Sequence, residues 1–110
     1  MEVTLQDRDG VGVVMVTGEI DLATAPQLAT QLAALDLSRP VIVDLSAVTF
    51  IDSSGLNALV QLRQKMQATS TPSRLGVVVS RPSTRRIFEV TGLSEVFALF
   101  DTAAEALAAP

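Results

Sequence analysis

The stretch from Val41 to Val60, VIVDLSAVTFIDSSGLNALV, constrains the fold of this chain more than any other. Val41-Ile42-Val43-Asp44-Leu45 is a short β-branched run bounded by Pro40 and Ser46, the pattern of a strand buried on at least one face. Phe50-Ile51 then leads into Asp52-Ser53-Ser54-Gly55, and from Leu56 the apolar residues take helical spacing, with Leu56, Leu59, Val60 and Met66 on one broad face. A strand thus delivers a polar turn onto a helix start. The first amides of a helix lack internal partners, so Asp52 or Ser53 can serve as the N-cap, and of the two serines Ser53 is the better placed to cap. One cap satisfies the helix, which leaves the second hydroxyl unexplained. Gly55 is also unexplained, because a helical glycine costs about 1 kcal/mol against alanine. The expectation is that Gly55 clears space for a partner to approach Ser54.

This arrangement, a strand, a hydrophobic pair and then Asp-Ser-Ser-Gly-Leu opening a helix, resembles the central motif of STAS domains. These are the module shared by bacterial anti-sigma-factor antagonists and the tails of sulphate transporters. In the antagonists the second serine of the motif is phosphorylated by the anti-sigma factor, and that position here is Ser54. A second, separated stretch carries the same resemblance: Gly18-Glu19-Ile20-Asp21 followed by Thr24-Ala25-Pro26-Gln27-Leu28 is similar to the family's loop and first-helix segment. The resemblance covers essentially the whole chain. It implies that Asp21 neighbours Ser54, and that the partner-binding surface draws on Asp21, Thr24, Asp52, Ser53, Gly55, Leu56 and Asn57. Asn57 departs from the glycine often found at that place in antagonists.

Read in order, Val3 and Leu5 alternate with polar neighbours, Asp9-Gly10 is a turn dipeptide, and Val11 to Val16 is β-rich, which predicts an opening hairpin. Thr17 to Asp21 is expected as a loop. Thr24 stands three residues before Gln27, a capping-box spacing, and Pro26 is acceptable in a first turn, so a helix should start near Ala25. Leu28, Leu32 and Leu35 give it one face to bury, and Ser38-Arg39-Pro40 ends it. After the helix that begins near Ser54, Ala68 to Ser73 is a polar turn and Leu75 to Val79 a further strand. Pro82 suits the start of a third helix, with Gly92 as its stop. Val96 to Phe100 can hold a short edge strand, and Thr102 with Glu105 caps an alanine-rich terminal helix over Ala103 to Ala109. Strands alternating with helices imply crossover connections and parallel neighbours. The predicted fold is α/β, a single STAS-like domain over residues 1–110, with a mixed sheet of four to five strands, an N-terminal hairpin and about four covering helices.

Composition narrows the chemistry. The 110 residues include no cysteine and no histidine, which excludes thiol chemistry, imidazole acid–base catalysis and zinc sites built on those ligands. A serine hydrolase would need a base beside its nucleophile, and Lys65 lies about 16 Å of helical rise from Ser54. Asp44 reads as a structural acid near a strand end, not as a catalytic partner of Asp52. No Walker-type loop is present, so any nucleotide is expected to be held by another protein. The net charge of -4 offers no footprint for nucleic acid, and Arg81, Arg85 and Arg86 read as a solvated helix face. No secretory-type leader opens the sequence and no apolar run is long enough to span a bilayer, so the expectation is a cytoplasmic protein without cofactor or metal.

The resemblance then implies a non-enzymatic switch. The unmodified protein would capture an anti-sigma factor and free a sigma factor. That anti-sigma factor would be the serine kinase acting on Ser54, and a PP2C-type phosphatase would restore the active form. The competing reading is a constitutive STAS scaffold in a transporter or stress-sensing complex, in which Ser54 is structural. For Asp21 and Asp52, a backbone-capping role and an interface role both stand.

Overall fold

Asp9 and Gly10 both take positive φ, 53° and 84°, the conformation of a two-residue hairpin turn that keeps the natural strand twist. They join β1 (Glu2–Arg8) to β2 (Val11–Ile20), and the remaining elements are α1 (Ala25–Ala33), β3 (Val41–Ile51), α2 (Ser53–Gln67), β4 (Leu75–Val78), α3 (Pro82–Val90), β5 (Ala98–Phe100) and α4 (Ala103–Ala108). A 3-10 turn at Leu93–Glu95, not anticipated from the sequence, precedes β5. These elements come from a computed structural model that describes residues 1–109.

The five strands lie in the order β1-β2-β3-β4-β5, with β1 antiparallel to β2 and all later pairs parallel. Each parallel step goes the same way across the sheet, so the crossover helices α1, α2 and α3 come to lie on one face. There they bury Leu28, Leu32, Leu59, Leu62, Met66 and Phe88 against Val14, Val16, Val43, Leu45 and Val77. α4 covers part of the other face, where Ala106 packs on Val13, Ile42 and Val78. Among the described residues no helix is long and apolar enough to cross a membrane.

Two expectations about strand ends are corrected. β2 does not give way to a loop at Thr17, and β3 does not stop at Ser46. Both continue to a shared terminus where Ile20 pairs with Ile51. β3 uses two more residues than β2 to get there, at register shifts between Met15 and Thr17 and between Gly18 and Glu19. At the first shift Asp44 accepts the Ser46 amide at 2.9 Å and so props the bulge. Asp44 therefore sits in mid-strand as a structural acid. Gly18, with φ of 88°, supplies at the second shift a backbone conformation that side chains rarely adopt. Polar residues that read as breakers are thus internal irregularities of long strands.

Candidate functional site

Because β2 and β3 are parallel neighbours that end in register, their Ile-Asp dipeptides lie side by side. The Asp52 amide donates to the Ile20 carbonyl at 3.1 Å, tying the start of α2 to the loop that enters α1. Asp21 and Ser54 are thereby brought to one end of the sheet.

Asp52 is the N-cap of α2. Its backbone is extended, with φ of -112° and ψ of -171°, and its carboxylate accepts the Ser54 amide at 2.9 Å. The same oxygen also accepts the Ser54 hydroxyl. Of the two cap candidates, then, Asp52 takes the role. Ser53 does not cap: it is exposed, and the carboxylate one residue earlier already reaches the helix amide. The Ser54 hydroxyl holds the Asp52 carboxyl below the ordinary aspartate range, helped by the Ser54, Gly55 and Leu22 amides and opposed by partial burial. The carboxylate is therefore charged, and it faces both its own helix and the adjoining loop.

The capping box expected at Thr24 and Gln27 is absent. Thr24 has helical backbone angles and makes no side-chain cap. Its hydroxyl instead turns back to accept the Asp21 amide at 2.8 Å, with the Glu19 carbonyl at 3.0 Å and the Asp21 carboxylate at 3.2 Å as acceptors in reach. Asp21 does the capping from three residues upstream, accepting the Ala23 and Thr24 amides, each at 3.0 Å. A short, tightly tied loop results, and it pushes Leu22 outward to 80% exposure. Sequence reasoning passed over Leu22; its signal was an apolar residue isolated between turn-forming polar ones.

Gly55 also has a different purpose from the one expected. It is buried, and a Cβ there would stand 2.6 Å from Ile20 Cγ2 and 2.8 Å from Ile51 Cγ1. Glycine lets the first turn of α2 seat directly on the two strand ends; it does not open a path to Ser54. Leu56 is likewise buried, 5% exposed, so these two residues support the surface from beneath and Asp21, Thr24, Asp52, Ser53 and Asn57 stand at or near it. Between α1 and α2 runs a shallow groove of about 230 Å³ lined by Leu22, Ala25, Pro26, Ser54, Asn57 and Gln61 among others. Lys65 lines a small adjoining hollow that shares Ala29, Ala58 and Gln61 with it, far from the Ser54 hydroxyl. Among the described residues no group of three or more acidic, histidine or cysteine side chains is placed to hold a metal. The arrangement offers one half-exposed hydroxyl on the wall of the groove, with a charged carboxylate as its hydrogen-bond acceptor.

Comparison with known proteins bears on the whole of this architecture. The STAS domain family model matches residues 2–106. The anti-sigma-F factor antagonist RsfB of Mycobacterium tuberculosis is 37% identical over 107 residues, covering 96% of this chain and 85% of that protein. The anti-sigma-B factor antagonist of Listeria monocytogenes is 31% identical, covering 87% and 83% of the two chains. The crystal structure of an anti-sigma factor antagonist from Mycobacterium paratuberculosis superposes with a TM-score of 0.86 at 40% identity, covering 96% of this chain and 90% of that one. With the paired Ile-Asp strand ends, the Asp-capped helix and the five-stranded mixed sheet all in place, the chain belongs to the STAS domain family.

Proposed function

We propose that this protein is an anti-sigma-factor antagonist controlled by phosphorylation of Ser54. Unphosphorylated, it binds an anti-sigma factor in the cytoplasm and thereby releases a sigma factor. The anti-sigma factor acts as the ATP-dependent serine kinase that switches it off, and a PP2C-type phosphatase switches it back on. The names of the relatives support the antagonist part of this reading, and the Ser54 hydroxyl, half-exposed at the head of the α1–α2 groove and engaged by a single carboxylate, carries the switch.

The physical consequence of modification follows from that hydrogen bond. Phosphoryl transfer forms the Oγ–P bond, breaks the bond from phosphorus to the leaving ADP oxygen, and sends the hydroxyl proton to a base on the kinase. Asp52 loses a donor and gains beside it a group of about -1.5 to -2 charge. The helix itself tolerates this, because Asp52 still holds the Ser54 amide and the positive end of the helix dipole faces the phosphate. An anti-sigma factor docked across Leu22 and Asn57 meets instead a concentrated negative patch. Fold is retained while binding is lost.

The test is to incubate the purified protein with a cognate anti-sigma kinase and ATP, map the modified residue by mass spectrometry, and measure the affinity of both forms by calorimetry. Modification confined to Ser54 and a large loss of affinity are expected. Equal affinity of the two forms would leave the constitutive scaffold as the better account. ATP or ester hydrolysis that co-purifies with the protein and vanishes in Ser54→Ala would overturn the non-enzymatic reading altogether.

A further inference from the structure

A cavity of about 320 Å³ lies at the other end of the sheet from Ser54, where β3, β4 and β5 begin and the last turns of α2 descend. Its wall is apolar, built from Met66, Leu75, Val96, Phe97, Phe100 and Leu107. Gly76 shapes it: a Cβ there would stand 3.1 Å from Phe100 Cε2, so the bare backbone lets that ring lie against the strand. Arg63 and Arg74 also line the cavity, and none of its 17 lining residues is acidic.

Both guanidinium groups are engaged by neutral oxygens. Arg63 donates to the Gln67 side-chain carbonyl at 3.3 Å, and Arg74 donates to the backbone carbonyl of Ala109. Neither takes part in the ion pairs among the described residues, which join Arg39 to Asp7 and Arg85 to Asp101. In a chain of net charge -4, two such cations on one apolar cavity select for an anion. The negative end of the α2 dipole points toward the same region and offsets part of this positive charge, which disfavours a polyanion such as a nucleotide most, while a single planar carboxylate is a group that a guanidinium can grip with two hydrogen bonds. A volume near 300 Å³ is at the small end of ligand pockets, enough for a flexible chain of moderate length.

We propose that this cavity binds a medium-chain aliphatic carboxylate, its chain against Met66, Phe97, Phe100 and Leu107 and its head at Arg63 and Arg74. The site is remote from Ser54 and independent of the phosphorylation switch.

Decanoate is the probe, titrated into the full chain and followed by calorimetry and backbone amide shifts, with 1-decanol as the uncharged control of equal chain length. Saturable one-site binding is expected, with shifts clustered at the starts of β4 and β5, the end of α2 and α4, and with 1-decanol binding about tenfold or more weaker. The double substitution Arg63→Gln, Arg74→Gln should weaken decanoate about tenfold or more at an unchanged melting temperature. Ala98→Phe, at an exposed position of β5 that lines the cavity, should block the chain and abolish binding. Absence of saturable binding to the wild type, equal affinity for 1-decanol, or wild-type affinity in the folded arginine variant would overturn the proposal.

Discussion

The two helices that start at the shared end of β2 and β3 begin from the same dipeptide and use it differently. Ile20-Asp21 leads into α1 and Ile51-Asp52 into α2, and in each case the aspartate accepts helix-entry amides while a hydroxyl residue stands close by. At α1 the hydroxyl belongs to Thr24 and is committed to backbone: it accepts the Asp21 amide and lies within reach of the Glu19 carbonyl. At α2 the hydroxyl belongs to Ser54 and contacts the Asp52 carboxylate alone. A hydroxyl that closes a loop cannot be modified without opening the loop, whereas one that only donates to a cap can be, because the cap keeps its amide. Under the proposed function, the difference separates a structural residue from the one proposed to be switched, within one pair of adjacent turns.

The largest effect expected from this contrast is on binding. Phosphorylated Ser54, and to a lesser degree Ser54→Asp, should weaken the anti-sigma partner by about two powers of ten or more, the equivalent of roughly 3 kcal/mol, with little change in thermal stability. Calorimetric affinity set beside thermal unfolding for the four forms, wild type, Ser54→Ala, Ser54→Asp and phosphorylated, reads the two quantities separately. A fall in melting temperature that matches the loss of affinity would erase the distinction between the two turns.

Next comes the seat beneath them. Gly55→Ala should destabilise by about 1 to 2 kcal/mol, because a clash with the branched carbons of two fully buried isoleucines outweighs the helix-propensity gain of alanine. Denaturant unfolding measures it, and a stabilised variant would show that the helix can shift off Ile20 and Ile51. Smaller again is the direct comparison of the hydroxyls. Thr24→Ala should cost about 1 to 2 kcal/mol by stripping the Asp21 amide of its acceptor, and Ser54→Ala less than about 1 kcal/mol. The reverse order in chemical denaturation would break the assignment of roles.

The smallest effect concerns acid. Asp52 has a carboxyl pKa lowered in the fold from its ordinary value of 3.8, first by the Ser54 hydroxyl. A lowered folded value means stability that is fully present above 3.8 and lost as the pH falls from there through the folded value. Asp52→Asn should therefore flatten part of the acid-side decline in stability, and Ser54→Ala should flatten less of it. A wild-type profile and an Asp52→Asn profile that run parallel below pH 4 would contradict the hydrogen bond from Ser54.

Local chemistry made much of this molecule readable in advance. The Asp9-Gly10 turn, Pro82 at the start of α3, Gly92 at its end and Thr102 capping Glu105 all act through neighbours within a few residues, so the chain itself specifies them. The same holds for the alternation of strands and helices and for the turn that carries Ser54. What lay beyond reach depends on residues distant in sequence. Ser46 and Gly18 resemble strand breakers until β2 and β3 pair and absorb them as bulges. Thr24 has the spacing of a capping box, but once the Asp21 loop closes, a backbone amide nearer at hand takes its hydroxyl. Gly55 is legible as a glycine in a helix, yet its reason is the approach of Ile20, 35 positions away in the chain, and Ile51. The motif and its phosphoacceptor candidate were thus written in local sequence. Which aspartate caps, which hydroxyl stays available and why the glycine is needed were decided when two strands met in register.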